Sequence, residues 1–455
     1  MALLSLKLSL AMLAPLLMSL YVARLVAQQG DLVFSGYSIV NSTNMALFIV
    51  ASSFLQVLFF LGGRALGSGD ALEYRLSIRA GFRYAMAMGI AATALSAVIG
   101  IVLMVLGFDR ELVSLVLWQG PVAALGLVPM QLLVIYRVHA SLNGRAGFVT
   151  AVAAGGAVAG AVLTTGVAGF ARLGPEATAL GVLAALAAVN WVMLAIAFFG
   201  LRSLPVHESA DAAADPVDRK LRQAWAAMWS YGWPIGAVVL MDCGLTLSST
   251  FAMGRWWIDV LPVHSVVVLW QALGLIVPLG IAQTGVQHVA IAHARGDFAL
   301  RNRAATVALS LGAAYGVLAA VVLAVLAIPA GALLLPSAVG TPQTQMLLRD
   351  LMLPGGMVLG FEGMIVIAAS LLRGVGLTRA PLIQAFVGYA VFGTGGQILF
   401  AGVLGQGPLG IWRGLLLGFA ATASIVTFYC IRELGLFGRR AVPPVVPTTQ
   451  ERRDP

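Results

Sequence analysis

Residues 226–254 read AAMWSYGWPIGAVVLMDCGLTLSSTFAMG, and this stretch decides the class of fold. A helix needs about 20 mostly apolar residues to cross the hydrocarbon core of a bilayer. The stretch is longer than that and carries a single charged residue, Asp242. It therefore predicts a membrane-spanning helix. Eleven further stretches share its character and lie near residues 8–34, 37–63, 82–107, 112–136, 147–171, 177–201, 263–291, 304–330, 346–372, 381–404 and 412–434.

The composition of the whole chain agrees with a membrane location. Of the 455 residues, 60% are hydrophobic and 10% are charged, and the mean hydropathy is +0.95. Soluble globular chains are about 45–50% apolar and about 25% charged, so this chain has too little polar surface to cover a water-soluble globule. The composition excludes a soluble fold and disfavours enzymes whose sites are built from polar loops.

The net charge of +9 has a simple explanation in a membrane protein. Cytoplasmic loops of membrane proteins collect Lys and Arg. If the N-terminus is inside, the inside segments hold 21 of the 27 Lys and Arg residues and the outside segments hold 5. Both termini are therefore predicted to be cytoplasmic. The basic balance does not indicate nucleic acid as a partner, because no basic run with interleaved aromatic residues occurs.

Several kinds of chemistry are excluded by residues that the sequence lacks. Cys243 and Cys430 are the only cysteines, which excludes a disulfide framework and a CxxC metal site. Lysine occurs only at Lys7 and Lys220, so no Walker A motif is present. Uphill transport by this chain would have to use an ion gradient or a partner. We expect no metal site and no cofactor other than a coupling ion.

An internal repeat divides the chain into two halves. With a shift of 227 residues, segment 38–70 aligns with segment 265–297, and the two segments end in GSGD and ARGD. The longest polar stretch, 202–225, lies between the sixth and seventh predicted spans. Parallel repeats of this kind occur in transporters that bind substrate between the two halves.

The repeat predicts an all-α polytopic membrane protein with twelve transmembrane helices in two six-helix bundles related by pseudo-two-fold symmetry. The predicted parts are an N-terminal six-helix lobe (1–201), a cytoplasmic linker (202–225), a C-terminal six-helix lobe (226–434) and a cytoplasmic tail (435–455). The tail is rich in Pro and charge, which is typical of disorder.

Three acidic residues lie at membrane depth within the predicted spans. A charged side chain in a bilayer is costly and rare, so each is a functional candidate. Asp242 and Glu362 lie inside the predicted spans 226–254 and 346–372, and no Lys or Arg lies at membrane depth in the C-terminal half. Asp31 lies near the outer part of the first predicted span and is either a site residue or a loop acid. Each of the three could instead be a buried acid satisfied by neighbouring polar groups.

Two carboxyl groups in one lobe have a physical use. Burial in a medium of low dielectric disfavours the charged form of a carboxyl, and a second carboxyl nearby disfavours it further. Such a pair can take up a proton near neutral pH or hold a small cation. A cationic substrate could compete for the same site, and that competition would produce antiport.

Other polar or small residues are weaker signals. His288 could titrate but is more often a satisfied core group. Arg24 could pair with Asp31 on the same helical face. Gly156 and Gly160 form a small-xxx-small pattern, which predicts close helix packing.

Several motifs, in order along nearly the whole chain, resemble those of the multidrug and toxic compound extrusion (MATE) transporters. They are SLAMLAPLLMSL, DLVFSG, YGWPIGAVVLMD, LGLIVPLGIAQTGVQHVAIAHARGD, LLRGVGLTRAP and LGIWRGLLLG. The resemblance implies a V-shaped two-bundle fold that exports organic, often cationic, compounds against inflow of Na⁺ or H⁺. It also implies that Asp242, Glu362 and Asp31 are the cation- or proton-coupling acids. We expect a monomer in the inner membrane whose partners are a small organic substrate and lipid.

Two alternatives remain open at this stage. A flippase for lipids or lipid-linked sugars of the same superfamily would need cationic residues facing a cavity, and Arg24 is the only candidate. A membrane scaffold or an intramembrane protease belongs to a different class. The sequence has no HExxH motif, and an enzyme is not predicted.

Overall fold

The computed structural model describes residues 2–105, 107–169, 174–201, 214–334 and 341–436. These residues form helices and short connections, and twelve of the helices are long and apolar enough to cross a membrane. The predicted class of fold and the predicted number of spans are therefore confirmed.

The spans are numbered 1–12 in chain order. We call spans 1–6 the first lobe and spans 7–12 the second, following the two six-helix bundles of the predicted fold class. The spans cover Leu4–Ala27, Leu32–Ser68, Ala71–Val105, Arg110–Leu142, Ala146–Gly169, Pro175–Leu201, Lys220–Met253, Leu261–Ala294, Phe298–Val325, Pro342–Gly374, Arg379–Val403 and Gly407–Leu434.

Five spans are interrupted along their length. Spans 2, 3, 4 and 8 each consist of two helical segments, which are Asp31–Leu55 and Val57–Ser68, Ala71–Ala97 and Ile99–Val105, Arg110–Ala124 and Leu127–Leu142, and Leu261–Gly274 and Ile276–Ala294. Span 11 starts as the α-helix Arg379–Ala385 and continues through π-helical turns at Phe386–Thr394 and Ile398–Val403, separated by Gly395–Gln397.

The remaining spans are continuous α-helices. Their helices are Ala2–Ala27, Ala146–Gly169, Pro175–Leu201, Ala214–Trp256, Phe298–Val325, Pro342–Gly374 and Gly407–Leu434. Two short elements, a 3₁₀ turn at Ile258–Val260 and a helix at Ala327–Leu334, lie in the connections after spans 7 and 9.

The boundary between spans 1 and 2 differs from the prediction, which extended the first span to residue 34. The first helix ends at Ala27, and Asp31 is the first residue of the helix Asp31–Leu55. Gly30 has a φ of 122°, a backbone conformation that glycine adopts at little cost. The sequence QQGD is therefore a turn between two helices, and Asp31 begins the helix that leads into span 2 rather than lying in span 1.

The repeat found in the sequence has a structural counterpart at the ends of spans 2 and 8. Gly69 and Gly296 have φ values of 75° and 73°. The Asp that follows each glycine caps the next helix, since the Asp70 side chain accepts from the Glu73 amide and the Asp297 side chain accepts from the Leu300 amide. The motifs GSGD and ARGD thus make the same helix–turn–helix connection in the two lobes.

The lobes pack against each other near one face of the bundle. This basic face carries the connections 69–70, 143–145, 295–297 and 375–378, which lie among the Arg residues counted above as inside. Close to it, a Cβ added at Gly63 would lie 2.9 Å from the Cβ of Ala290. The Ser141 hydroxyl donates to Gln287 Oε1 at 2.8 Å, and Gln287 Nε2 donates to the Ser141 carbonyl at 3.0 Å. Spans 2, 4 and 8 therefore join the lobes at this face.

Close packing within the first lobe confirms the small-xxx-small interpretation of span 5. A Cβ added at Gly160 would lie 3.1 Å from the Met18 side chain of span 1. One added at Gly156 would overlap Met193 of span 6. The two glycines let spans 1 and 6 approach the backbone of span 5.

Part of the predicted linker and most of the predicted tail lie outside the described residues. These parts are 202–213 and 437–455. The second half of the predicted linker is helical, since the helix of span 7 begins at Ala214.

Candidate functional site

Spans 7 and 10 bring two of the three predicted site residues together. Asp242 follows Pro234 by eight residues in the helix Ala214–Trp256, and Glu362 follows Pro354 by eight residues in the helix Pro342–Gly374. The two carboxyl groups form a side-chain hydrogen bond. Such a bond requires a proton on one carboxyl, which is donated to the other. The arrangement is a proton-sharing carboxyl pair inside the second lobe.

Asp242 is the member of the pair that lines a cavity. The cavity has a volume of about 60 Å³, and Ile235, Val238, Val239 and Asp242 contribute to it along span 7. Asp242 Oδ1 has no hydrogen-bond partner among the described residues. A water needs about 10–15 Å³ by this measure, so the cavity has room for a small cation or a few waters beside the free oxygen.

Tyr389 completes the polar cluster, and sequence analysis missed it. Its hydroxyl donates a hydrogen bond to the Asp242 carboxylate, and its side chain is 3% exposed and lines the same cavity. It lies in the π-helical stretch Phe386–Thr394, and π-helical turns are frequent at functional sites. The signal in the sequence was one Tyr among Gly, Ala, Val and Phe in a span that otherwise offers little polarity.

Glycines on spans 11 and 12 hold Tyr389 in this position. A Cβ added at Gly418 would lie 2.5 Å from the Gly393 Cα, and one added at Gly396 would lie 3.1 Å from the Gly414 Cα. The Tyr389 ring packs edge-on against Phe419, with ring centroids 5.2 Å apart. The close approach of the two backbones therefore fixes the ring that reaches Asp242.

A basic residue lies at the other end of the cavity, where sequence analysis expected none. Arg373 is in the last turn of span 10, is half-buried and lines the same cavity as Asp242. Its Nη1 donates to Oε1 of Gln56, a residue of the first lobe, at 3.3 Å. The predicted span ended at residue 372, whereas the helix continues to Gly374 and includes Arg373 in its last turn. Its position at the end of the helix lets the long side chain reach inward.

The first lobe contains a larger cavity with no charged residue among those that line it. Its volume is about 160 Å³, and spans 1, 2, 4, 5 and 6 surround it. Its polar lining consists of Ser19, Tyr37, Asn41, Asn44 and Asn190. Asn44 Oδ1 is buried and has no hydrogen-bond partner among the described residues. These asparagines carry no charge and were not among the predicted site residues.

The other predicted residues lie apart from the carboxyl pair. Asp31 is at the start of span 2, on the face opposite the basic face. His288 Nδ1 lies 2.9 Å from the Thr284 carbonyl, one turn earlier in span 8, as expected for a satisfied core histidine. Arg24 is exposed in the last turn of span 1.

The sequence is similar to two bacterial proteins that are each named a probable multidrug resistance protein NorM. One, from Rhizobium meliloti, is 25% identical over 420 residues, covering 90% of this chain and 88% of the relative. The other, from Deinococcus radiodurans, is 27% identical over 416 residues, covering 88% of each chain. No protein-family model matches the chain.

The fold is similar to that of a solved transporter. The crystal structure of the eukaryotic MATE transporter AtDTX14 matches with a TM-score of 0.81 at 15% identity, over 94% of each chain. The relatives and the fold together confirm the resemblance to the multidrug and toxic compound extrusion (MATE) transporters. The chain is a multi-pass inner-membrane protein and not an enzyme.

Proposed function

We propose that this protein is a secondary active antiporter that exports organic, cationic compounds in exchange for H⁺ or Na⁺ by alternating access. The observation that carries the proposal is the hydrogen-bonded pair of Asp242 and Glu362, whose Asp242 member opens onto a cavity. Export of many compounds is supported by the two bacterial relatives, whose names describe probable multidrug resistance proteins.

The carboxyl pair couples ion inflow to substrate export because its negative charge has to be neutralised. An unpaired carboxylate inside a bilayer is costly, so the site holds either a coupling ion or a cationic substrate for most of the cycle. Asp242 Oδ1 is the free acceptor for either one. We expect H⁺ as the coupling ion, since two buried carboxyl groups side by side disfavour the ionisation of both. The Tyr389 hydroxyl stabilises the Asp242 carboxylate after the proton leaves.

The basic face is proposed to be cytoplasmic. Lys and Arg collect in cytoplasmic loops, and this face carries the connections at Arg145 and Arg295. In that orientation both termini are cytoplasmic, and the lobes are packed together on the cytoplasmic side. The structure would then be an outward-facing state. We further propose that the protein works as a monomer surrounded by lipid.

Asp31 is the third acid that the sequence predicted for coupling, and it lies apart from the other two, at the start of a helix. It begins a helix, where the helix dipole favours an acidic residue whatever its role in transport. The proposed mechanism therefore depends on Asp242 and Glu362 and does not require Asp31.

A flippase for lipids or lipid-linked sugars is a less well supported alternative. Such a protein needs cations that face the substrate cavity, whereas Arg24 is exposed and the polar lining of the first-lobe cavity is uncharged. The remaining candidate cation is Arg373, which sits at the end of a cavity of only about 60 Å³.

Purified protein in proteoliposomes tests the proposal. Export of labelled organic cations is measured under a proton gradient and, separately, under a Na⁺ gradient. We expect uphill export under the proton gradient. If neither gradient drives export while a labelled lipid moves between the leaflets, the protein is a flippase rather than an antiporter.

A further inference from the structure

Arg373 connects the cavity of the carboxyl pair to the interface between the lobes. Within its own helix, Nε donates to the Ala369 carbonyl at 3.2 Å and Nη2 donates to the Ser370 hydroxyl at 2.9 Å. The remaining nitrogen, Nη1, donates to Gln56 Oε1 across the interface at 3.3 Å. The half-buried guanidinium therefore makes two hydrogen bonds within span 10 and a third hydrogen bond to the first lobe.

The cavity extends from Asp242 toward the basic face. Span 7 begins at that face, and Ile235, which also lines the cavity, precedes Asp242 by about two turns. Arg373 and Gln56 line the same cavity. An ion moving between the basic face and the free oxygen of Asp242 therefore has to pass the guanidinium.

The chemistry of the guanidinium suits a barrier to cations. Arg stays charged under all ordinary conditions, and the side chains of Ile235, Val238, Leu279, Ile365 and Val366 give the cavity an apolar wall. A fixed positive charge in surroundings of low dielectric repels a proton or a sodium ion more strongly than it would in water. While Gln56 holds Arg373 in place, cations are kept away from the basic-face end of the cavity.

Resting on the proposed function, we propose that Arg373 is the inner gate for the coupling ion and that Gln56 holds this gate shut while the lobes are packed together. Separation of the lobes at the basic face removes Gln56 and leaves Arg373 bonded only to its own helix. The side chain is then free to move out of the path, and the ion on Asp242 reaches the basic face. Gate opening is thereby tied to the conformational change, which prevents a leak of ions without substrate.

Leak of ions in the absence of substrate tests this proposal. Proteoliposomes containing an internal pH dye receive a proton gradient, and a parallel set receives a gradient of radioactive Na⁺. Arg373→Gln removes the charge, and Gln56→Ala removes the inter-lobe acceptor while leaving the charge. Arg295→Gln is the matched control, because it makes the same change at an exposed residue of the same face.

We expect both variants to leak the coupling ion about tenfold faster than the wild type, as loss of a hydrogen bond to a charged group predicts. Arg295→Gln should leak at the wild-type rate. Addition of Asp242→Asn should abolish the leak, because the path would then end at a residue that holds no proton. Binding of a labelled organic cation, measured in parallel, should persist in both single variants and report folded protein.

The outcomes separate the gate from the coupling mechanism. If the wild type couples export to an ion gradient but neither Arg373→Gln nor Gln56→Ala leaks, the gate is wrong and the antiport mechanism stands. If Arg295→Gln leaks as fast as Arg373→Gln, surface charge rather than a gate controls entry. If the wild type shows no ion-driven export, the proposed function fails and the gate fails with it.

Discussion

The side chains of Asp242 in span 7 and Glu362 in span 10 are hydrogen-bonded to each other inside the second lobe. Each acid follows a helix proline by eight residues. Proline removes one backbone hydrogen bond and bends or loosens a helix where it lies. The two acids therefore meet at corresponding positions of two helices. Each helix can flex at its proline, one or two turns from the acid. Such flexing is required of a site whose exposure changes during transport.

The carboxyl pair gives the most direct prediction. Asp242→Asn and Glu362→Gln should each abolish gradient-driven export, because an amide keeps the size of the side chain but cannot exchange the proton. The double variant should be no worse than either single variant, because both residues act in one step. Transport in proteoliposomes measures the effect, and binding of a labelled organic cation shows that the site is otherwise intact.

Asp350→Asn is the matched control for the pair. Asp350 is an exposed acid on the same helix as Glu362, so its loss should leave export unchanged. Wild-type export by both Asp242→Asn and Glu362→Gln would show that the coupling ion binds elsewhere.

Tyr389→Phe should weaken export without abolishing it. The variant keeps the ring on Phe419 and removes the hydroxyl that donates to Asp242. A hydrogen bond to a charged group contributes about 1.5–3 kcal/mol, so we expect export to fall by about tenfold or more while substrate binding persists. Tyr231→Phe, in span 7, keeps the edge-on contact with Phe60 and serves as control. Equal effects of the two substitutions would mean that the Asp242 contact has no special role.

Much of the fold could be predicted from the sequence because membrane spans follow from hydropathy alone. The twelve spans needed only the length and spacing of apolar stretches. The pairing of GSGD with ARGD also predicted a shared structure, since Gly69 and Gly296 adopt the same left-handed conformation and the following Asp residues cap helices. Local turn chemistry is written in consecutive residues, so it can be recognised without knowing the packing.

The complete site could not be predicted, because its parts meet only through packing. Nothing in the sequence distinguishes Tyr389 from other aromatic residues of the spans. Its orientation toward Asp242 results from the glycine contacts between spans 11 and 12 and from the π-helical stretch. Arg373 looks like a loop charge until its side chain is seen bonded to Gln56. The turn before Asp31 was missed for a different reason. The apolar stretch continues on both sides of it, and Gly30, whose φ is positive, was not recognised as a turn residue.

The placement of Asp31 leads to a prediction of its own. As the first residue of a helix on the face opposite the basic face, it has a structural reason to be acidic. We expect Asp31→Asn to retain gradient-driven export, with the free energy of unfolding lowered by about 0.3–1 kcal/mol, since an acidic residue at a helix N-terminus is favourable. Parallel measurements of transport and unfolding decide the matter. Normal stability with abolished export would instead establish Asp31 as a third coupling acid.

Accessibility of single cysteines tests the orientation. In a variant whose two native cysteines, Cys243 and Cys430, are replaced by Ala, one new cysteine is placed at Arg295 on the basic face or at Glu111 on the opposite face. With a maleimide that does not cross membranes, Glu111→Cys should label in intact cells. Arg295→Cys should label only after the cells are permeabilised. The reverse pattern would overturn the proposed orientation and the assignment of an outward-facing state.

The contact between spans 2 and 8 supports a final prediction about the conformational change. A Cβ added at Gly67 would lie 2.6 Å from both the Ile291 carbonyl oxygen and the Ala294 Cβ, and the backbone cannot move aside as a flexible side chain could. Gly67→Ala should therefore destabilise the packed lobes by about 1–3 kcal/mol and shift the population toward lobes separated at the basic face. Distances between spin labels on the two lobes at that face should lengthen. Gly244→Ala is the control, since a Cβ there meets nothing within 4 Å. An unchanged distance distribution in Gly67→Ala, with the variant folded, would show that this contact does not set the balance between the two states.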